Sequence, residues 1–149
     1  MKITFLGGGN MATALIGGLL NKGFMADDMV VIEINEENHK HLRRRYGVSC
    51  VAAPTPEALS CDVLLLAVKP QQLRGACAPL APMLHEQLVI SIAAGIRLSD
   101  LSRWLGGYER MVRAMPNTPA LIGAGVTGMF ALPMVSEVER LGAERALQA

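Results

Sequence analysis

Short, nearly continuous apolar runs alternate along this chain with longer stretches in which apolar residues recur at helical spacing. The runs are Lys2–Leu6, Met29–Ile34, Val48–Ala52, Asp62–Ala67, Gln87–Ile92, Glu109–Ala114 and Gly123–Met129. Val63-Leu64-Leu65-Leu66-Ala67 is apolar throughout, which is the pattern of a parallel strand covered on both faces. Between the runs, Met11–Lys22 reads as a helix closed by Gly23. Asn35 reads as the cap of a second helix, and Glu36 and Glu37 in its first turn complement the helix dipole. Thr55-Pro56-Glu57 predicts a further helix start, and a helical stretch follows Lys69-Pro70-Gln71 until Pro79 and Pro82 interrupt it. Ser99 is expected to cap a helix reaching Leu105, and Ser136-x-x-Glu139 to open a last helix running to Ala149. The β-then-α repetition predicts one α/β domain over residues 1–149, a doubly wound, mainly parallel sheet of Rossmann type. Gly17-Gly18 weakens the first helix, and close helix–sheet contact is the expected reason for it.

The first strand runs directly into Gly7-Gly8-Gly9-Asn10-Met11-Ala12, a Gly-x-Gly-x-x-Ala turn that opens a helix. Such a turn cradles the pyrophosphate of a dinucleotide. Gly7 permits the tight turn, Gly9 leaves room for the phosphates, and Ala12 is small enough for the helix to approach the strand. The helix N-terminus adds free N–H groups and a positive dipole end. Glu33 lies 21 positions beyond Ala12 (33 − 12), at the end of the next β-branched run, about where a ribose contact is expected.

Composition narrows the classes of function. The chain has 149 residues, is 51% hydrophobic and 4% aromatic, and carries a formal charge of +1, so nothing marks a nucleic acid or an anionic membrane as partner. Arg43-Arg44-Arg45 reads as a solvated helix face. Cys50, Cys61 and Cys77 are widely spaced and read as reduced thiols, and His39, His41 and His85 show no metal-ligand spacing. No secretory pattern or bilayer-length apolar run occurs, so a cytoplasmic location is expected.

Ligands of such sheets sit outside the carboxyl ends of the strands. Those ends bring Gly7 to Met11, then Glu33, Ile34 and Asn35, then Ala67, Val68, Lys69 and Pro70, then Ala93, Ala94 and Gly95, then Met115 to Thr118 to one edge. Lys69 reads either as a cation beside cofactor phosphate or ribose, or as a surface lysine before a helix. Asn117 and Thr118 read either as hydrogen-bonding partners of a nicotinamide or substrate, or as turn residues between two prolines. No histidine falls in these loops and no carboxylate falls near the expected nicotinamide position. A ketone reductase needs a proton donor there. Its absence leaves an electrophile that already carries its proton, such as an iminium, or catalytic groups on another domain.

Phe5–Ala12, Ala67-Val68-Lys69-Pro70-Gln71, Ser91-Ile92-Ala93-Ala94-Gly95 and Arg113–Ala120, with Met115-Pro116-Asn117-Thr118-Pro119 inside it, together resemble the bacterial pyrroline-5-carboxylate reductases. The resemblance runs in order through the whole chain. It implies hydride transfer from NAD(P)H to the C=N carbon of Δ1-pyrroline-5-carboxylate, giving L-proline. It implies cofactor contacts from Gly7 to Ala12 and Ala67 to Pro70, with Ala93 and Ala94 beside the nicotinamide. The family carries a second, all-helical domain that makes the oligomer and holds the substrate carboxylate. This sequence stops before such a segment and is expected to be the cofactor half, with little activity alone and with Val138, Leu141 and Leu147 exposed. Glu33 would favour NADH if it met the ribose. If it pointed away, Asn35, His39, Lys40 and Arg43 would be placed to meet a 2′-phosphate. NADPH is the expected cofactor, with NADH second. Rival readings are a β-hydroxyacid-type dehydrogenase and a non-catalytic dinucleotide sensor.

Overall fold

In a computed structural model, residues 1–116 and 126–147 are described. Seven strands form one sheet: β1 (Ile3–Leu6), β2 (Met29–Ile32), β3 (Ser49–Val51), β4 (Val63–Leu66), β5 (Leu88–Ser91), β6 (Met111–Pro116) and β7 (Val126–Ala131). Their order is β3-β2-β1-β4-β5-β6-β7. β1 to β6 are mutually parallel and β7 returns antiparallel on β6. Among the described residues five α-helices cover it: α1 (Asn10–Asn21), α2 (Glu36–Tyr46), α3 (Pro70–Cys77), α4 (Leu98–Trp104) and α5 (Glu137–Leu147). This is the doubly wound, Rossmann-type sheet that the alternation predicts.

The continuous apolar runs are explained by two separate cores. Ile3, Phe5, Met29, Val31, Val63, Leu65, Leu88 and Ile90 pack under α1, α2 and α5. Leu6, Ile32, Leu64, Leu66 and Val89 face the other way, onto Leu73 and Cys77 of α3 and Leu98 and Leu101 of α4. Successive strand side chains point to opposite faces, so a strand buried on both must be apolar at every position. Thr4 breaks the run and is buried, and it donates its hydroxyl to the Ala58 carbonyl.

Several boundaries differ from expectation for local reasons. Thr55 does cap a turn, accepting the Ala58 N–H at 3.1 Å, but no helix grows from it. Thr4 and the Gln87 amide take the Ala58 and Leu59 carbonyls, and the Asp62 and Val63 N–H groups bond to the Lys2 carbonyl. A helix would need those same groups for its own ladder. Ser99 lies inside α4, which Arg97 precedes as N-cap, because Leu98 is drawn into the second core together with Leu101. Met115 and Pro116 belong to β6 rather than a loop, with a bulge between Ala114 and Pro116 that suits a proline. Gly17 faces Tyr46 of α2, not the sheet. Leu147 is buried in the first core, whereas Val138 and Leu141 are exposed as expected. Asn35 caps α2 by accepting the Asn38 N–H at 3.1 Å, and Ser136 and Glu139 form the reciprocal capping box of α5.

The cysteines are free, with Cys50 and Cys77 buried and Cys61 half-buried. Burial pushes the Cys77 thiol up to about 11 from an ordinary value of 9.0. A group whose folded pKa is raised stabilises the fold fully below its unfolded pKa, and that contribution is lost as pH climbs through the folded value. Stability is therefore expected to fall between pH 9 and about 11. Urea unfolding across that window should show the decline, and Cys77→Ala should flatten part of it.

Candidate functional site

The carboxyl ends of β1, β2 and β4 are held flush by the ladder. Leu6 pairs with both Ile32 and Leu66, and Leu66 pairs with Ser91. Just past the strands, Gly7 N–H donates to Ile32 at 2.8 Å, Ala67 N–H to Leu6 at 2.8 Å, and Glu33 N–H to Val51 at 2.9 Å. The residues predicted from the strand ends therefore do converge on one edge: Gly7 to Ala12, Glu33 to Asn35, Ala67 to Pro70, and Ala93 with Ala94. Asn117 and Thr118 lie outside the described residues.

The glycine turn is shaped by what surrounds it. Gly7 has φ +100°, and a Cβ there would stand 3.0 Å from Val68 Cγ1 and 3.1 Å from the Ala67 backbone. The turn is thus pressed against the Ala67-Val68 segment. Gly9 is the N-cap of α1, with none of the described residues within 4 Å of an added Cβ. The space beside it is open to a ligand. Among the described residues no side chain caps α1, and no acid occupies its first turn, so its first N–H groups and its dipole are left for an external anion. Ala12 is fully buried, as the close approach of α1 to β1 requires. These features fit a dinucleotide pyrophosphate.

The basic and polar residues that follow β2 are largely engaged. Asn35 caps α2, the His39 ring meets the Glu33 carbonyl, and Arg43 donates to the Cys50 carbonyl at 2.8 Å. Lys40 is exposed. Arg43 ties α2 to β3, so only part of the Arg43-Arg44-Arg45 cluster is a plain solvated face. Lys69 is exposed at the N-cap of α3, ahead of Pro70 at the first helical position. Ala93 is buried and Ala94 exposed, leaving a small-residue shelf after β5. Two hollows of about 490 and 610 Å³ open at the opposite edge, around Cys61 and Glu86. They lie away from the glycine turn and have no part in this site.

Two contributions were not read from the sequence. Gly8, the middle glycine, is buried; a Cβ there would lie 2.9 Å from Leu42 Cδ1 of α2 and 3.3 Å from Val31 Cγ1. Arg113 reaches across from β6 to the Ile96 carbonyl at 3.4 Å, steadying the loop after Ala93 and Ala94. A third glycine beside a Gly-x-Gly pair was the available signal for the first. The second had none.

Residues 2–95 match the family described as NADP oxidoreductase, coenzyme F420-dependent. The chain belongs to that family. It is similar to the pyrroline-5-carboxylate reductase of Pseudomonas aeruginosa, 39% identical over 149 residues, covering 99% of this chain and 55% of that protein. The Haemophilus influenzae enzyme of the same name is 41% identical over 148 residues, covering 99% and 54%. The solved structure of a pyrroline-5-carboxylate reductase from Coxiella burnetii superposes with a TM-score of 0.90 at 36% identity, over 98% of this chain and 56% of that one. The chain spans about half the length of the curated relatives it matches.

Proposed function

We propose that residues 1–149 supply the cofactor half of a pyrroline-5-carboxylate reductase, working with NADPH in the last step of proline biosynthesis. The observation that carries this reading is the N-terminus of α1, which among the described residues has no side-chain cap and no acid in its first turn, behind an open Gly9, within a chain that resembles such reductases along its whole length. When bound, the nicotinamide supplies a hydride. That hydride would be destined for the C=N carbon of a protonated imine, whose nitrogen would keep the former π pair in L-proline. The nitrogen brings its own proton, so the lack of histidine or carboxylate between Ala67 and Pro70 and between Ser91 and Arg97 is consistent with the chemistry.

The chain's own residues bind and orient. The α1 N-terminus and the Gly9 gap hold the pyrophosphate, Ala67 to Pro70 flank it, and Ala93 and Ala94 let the flat ring lie close to the backbone. Asn117 and Thr118 remain candidates beside the nicotinamide or the substrate. The three free thiols accord with a cytoplasmic setting. Titration with NADPH and with NADH, followed by cofactor fluorescence, should show saturable binding with NADPH the tighter. Binding of neither would overturn the reading.

A further inference from the structure

Glu33 stands where an acid at the end of the second strand would accept a ribose hydroxyl. Its carboxylate is already engaged. Oε1 accepts from Gly8 N–H at 3.2 Å and from the Asn38 amide at 3.0 Å. Oε2 accepts from Ile34 N–H at 2.8 Å and from Asn35 N–H at 3.4 Å. A carboxylate offers about four acceptor directions. Four donors of the chain itself meet them. Three of those donors are local; Gly8 is 25 residues away in sequence. An added Cβ on Gly8 would also lie 3.4 Å from Glu33 Cγ, so the glycine turn rests on the stem of this side chain as well as on its head. Burial alone would raise the Glu33 pKa, but the four hydrogen bonds outweigh it and hold the group below its usual value, so it is charged when it grips them.

We propose that Glu33 is a positioning residue that latches the glycine turn to the β2–α2 turn, and that it is not the acceptor for the ribose 2′-hydroxyl. The inference rests on the dinucleotide reading of this edge. By fixing Gly8, the latch sets the direction in which the N–H groups of Gly9 to Ala12 face the pyrophosphate. Both nucleotides share that pyrophosphate, so the latch serves NADPH and NADH alike. Discrimination between them then lies with groups other than Glu33.

Glu33→Asp tests this. It keeps the charge but withdraws the carboxylate by one methylene, too far to hold Gly8, while aspartate serves a ribose hydroxyl as well as glutamate does. The latch predicts that Kd for NADPH and for NADH both rise about tenfold, the loss of one charge-assisted bond, with their ratio kept within about twofold. A change in one affinity but not the other, shifting the ratio by more than about twofold, would make Glu33 the ribose ligand. Unchanged affinities with only a lowered Tm would make it merely structural. Amide exchange of Gly8, followed by NMR in the nucleotide-free protein, decides the latch without any cofactor. It should speed about tenfold in Glu33→Asp while Phe5 and Leu6 stay protected. If the parent chain bound neither nucleotide, the functional reading would fail, and unchanged Gly8 exchange would separately sink the latch.

Discussion

Gly9→Val is expected to leave the fold standing and to remove dinucleotide binding. None of the described residues lies within 4 Å of the added Cβ, and Gly9 has φ −77° and ψ −164°, an extended conformation that valine adopts freely. The folding cost is the loss of a tolerated N-cap glycine, about 1 kcal/mol or less. The branched side chain would fill the volume assigned to the pyrophosphate and shield the α1 N-terminus. Loss of about 3 kcal/mol of binding corresponds to more than 100-fold in Kd. Thermal unfolding should therefore place the variant within a few degrees of the parent, while fluorescence titration with NADPH shows no saturation in the parent's range. Binding like the parent's would mean that the phosphates do not lie against this turn.

Gly7→Val is expected to do the reverse and strike the fold itself. At φ +100° a non-glycine residue is strained by about 1–3 kcal/mol. Its Cβ would also meet the Ala67 backbone at 3.1 Å, and backbone cannot swing aside as a side-chain tip can. Overpacking of this kind adds about 1–3 kcal/mol. The sum is a large part of the roughly 5–15 kcal/mol that holds an ordinary domain together. Urea unfolding should show a sharply lowered midpoint with an unchanged slope, and Gly7→Ala an intermediate one. A Gly7→Val protein as stable as the parent would show that β1 and β4 do not confine the turn. Two glycines two residues apart are thus expected to fail in different ways, one through the ligand and one through the chain.

Much of this architecture is legible in the residues because it is local or periodic. The Leu-rich run of β4 cannot be anything but covered on both faces, and Asn35 and the Ser136/Glu139 pair announce their helices by chemistry within three residues. The misread boundaries depend on distant partners. Thr55 looks like a helix start, and only the capture of the Ala58 and Leu59 carbonyls by Thr4 and Gln87 stops the helix there. Ser99 is a better capping residue than Arg97, but core burial of Leu98 outweighs the cap. The site follows the same division. The order of glycines and strand ends locates it, whereas the Glu33–Gly8 bond and the packing of Gly8 on α2 join segments far apart in the chain. No spacing rule reports where a carboxylate spends its acceptors.

The two cores also bear on how such a chain can change over generations. Leu64 and Leu65 are adjacent and both fully buried, yet one belongs to the layer of α3 and α4 and the other to that of α1, α2 and α5. Volume gained or lost at one is felt by a set of neighbours that the other never touches. Drift at odd and even strand positions is therefore free to proceed as two separate histories, each compensated within its own layer. The carboxyl edge, where both layers end, is where the two histories must still agree.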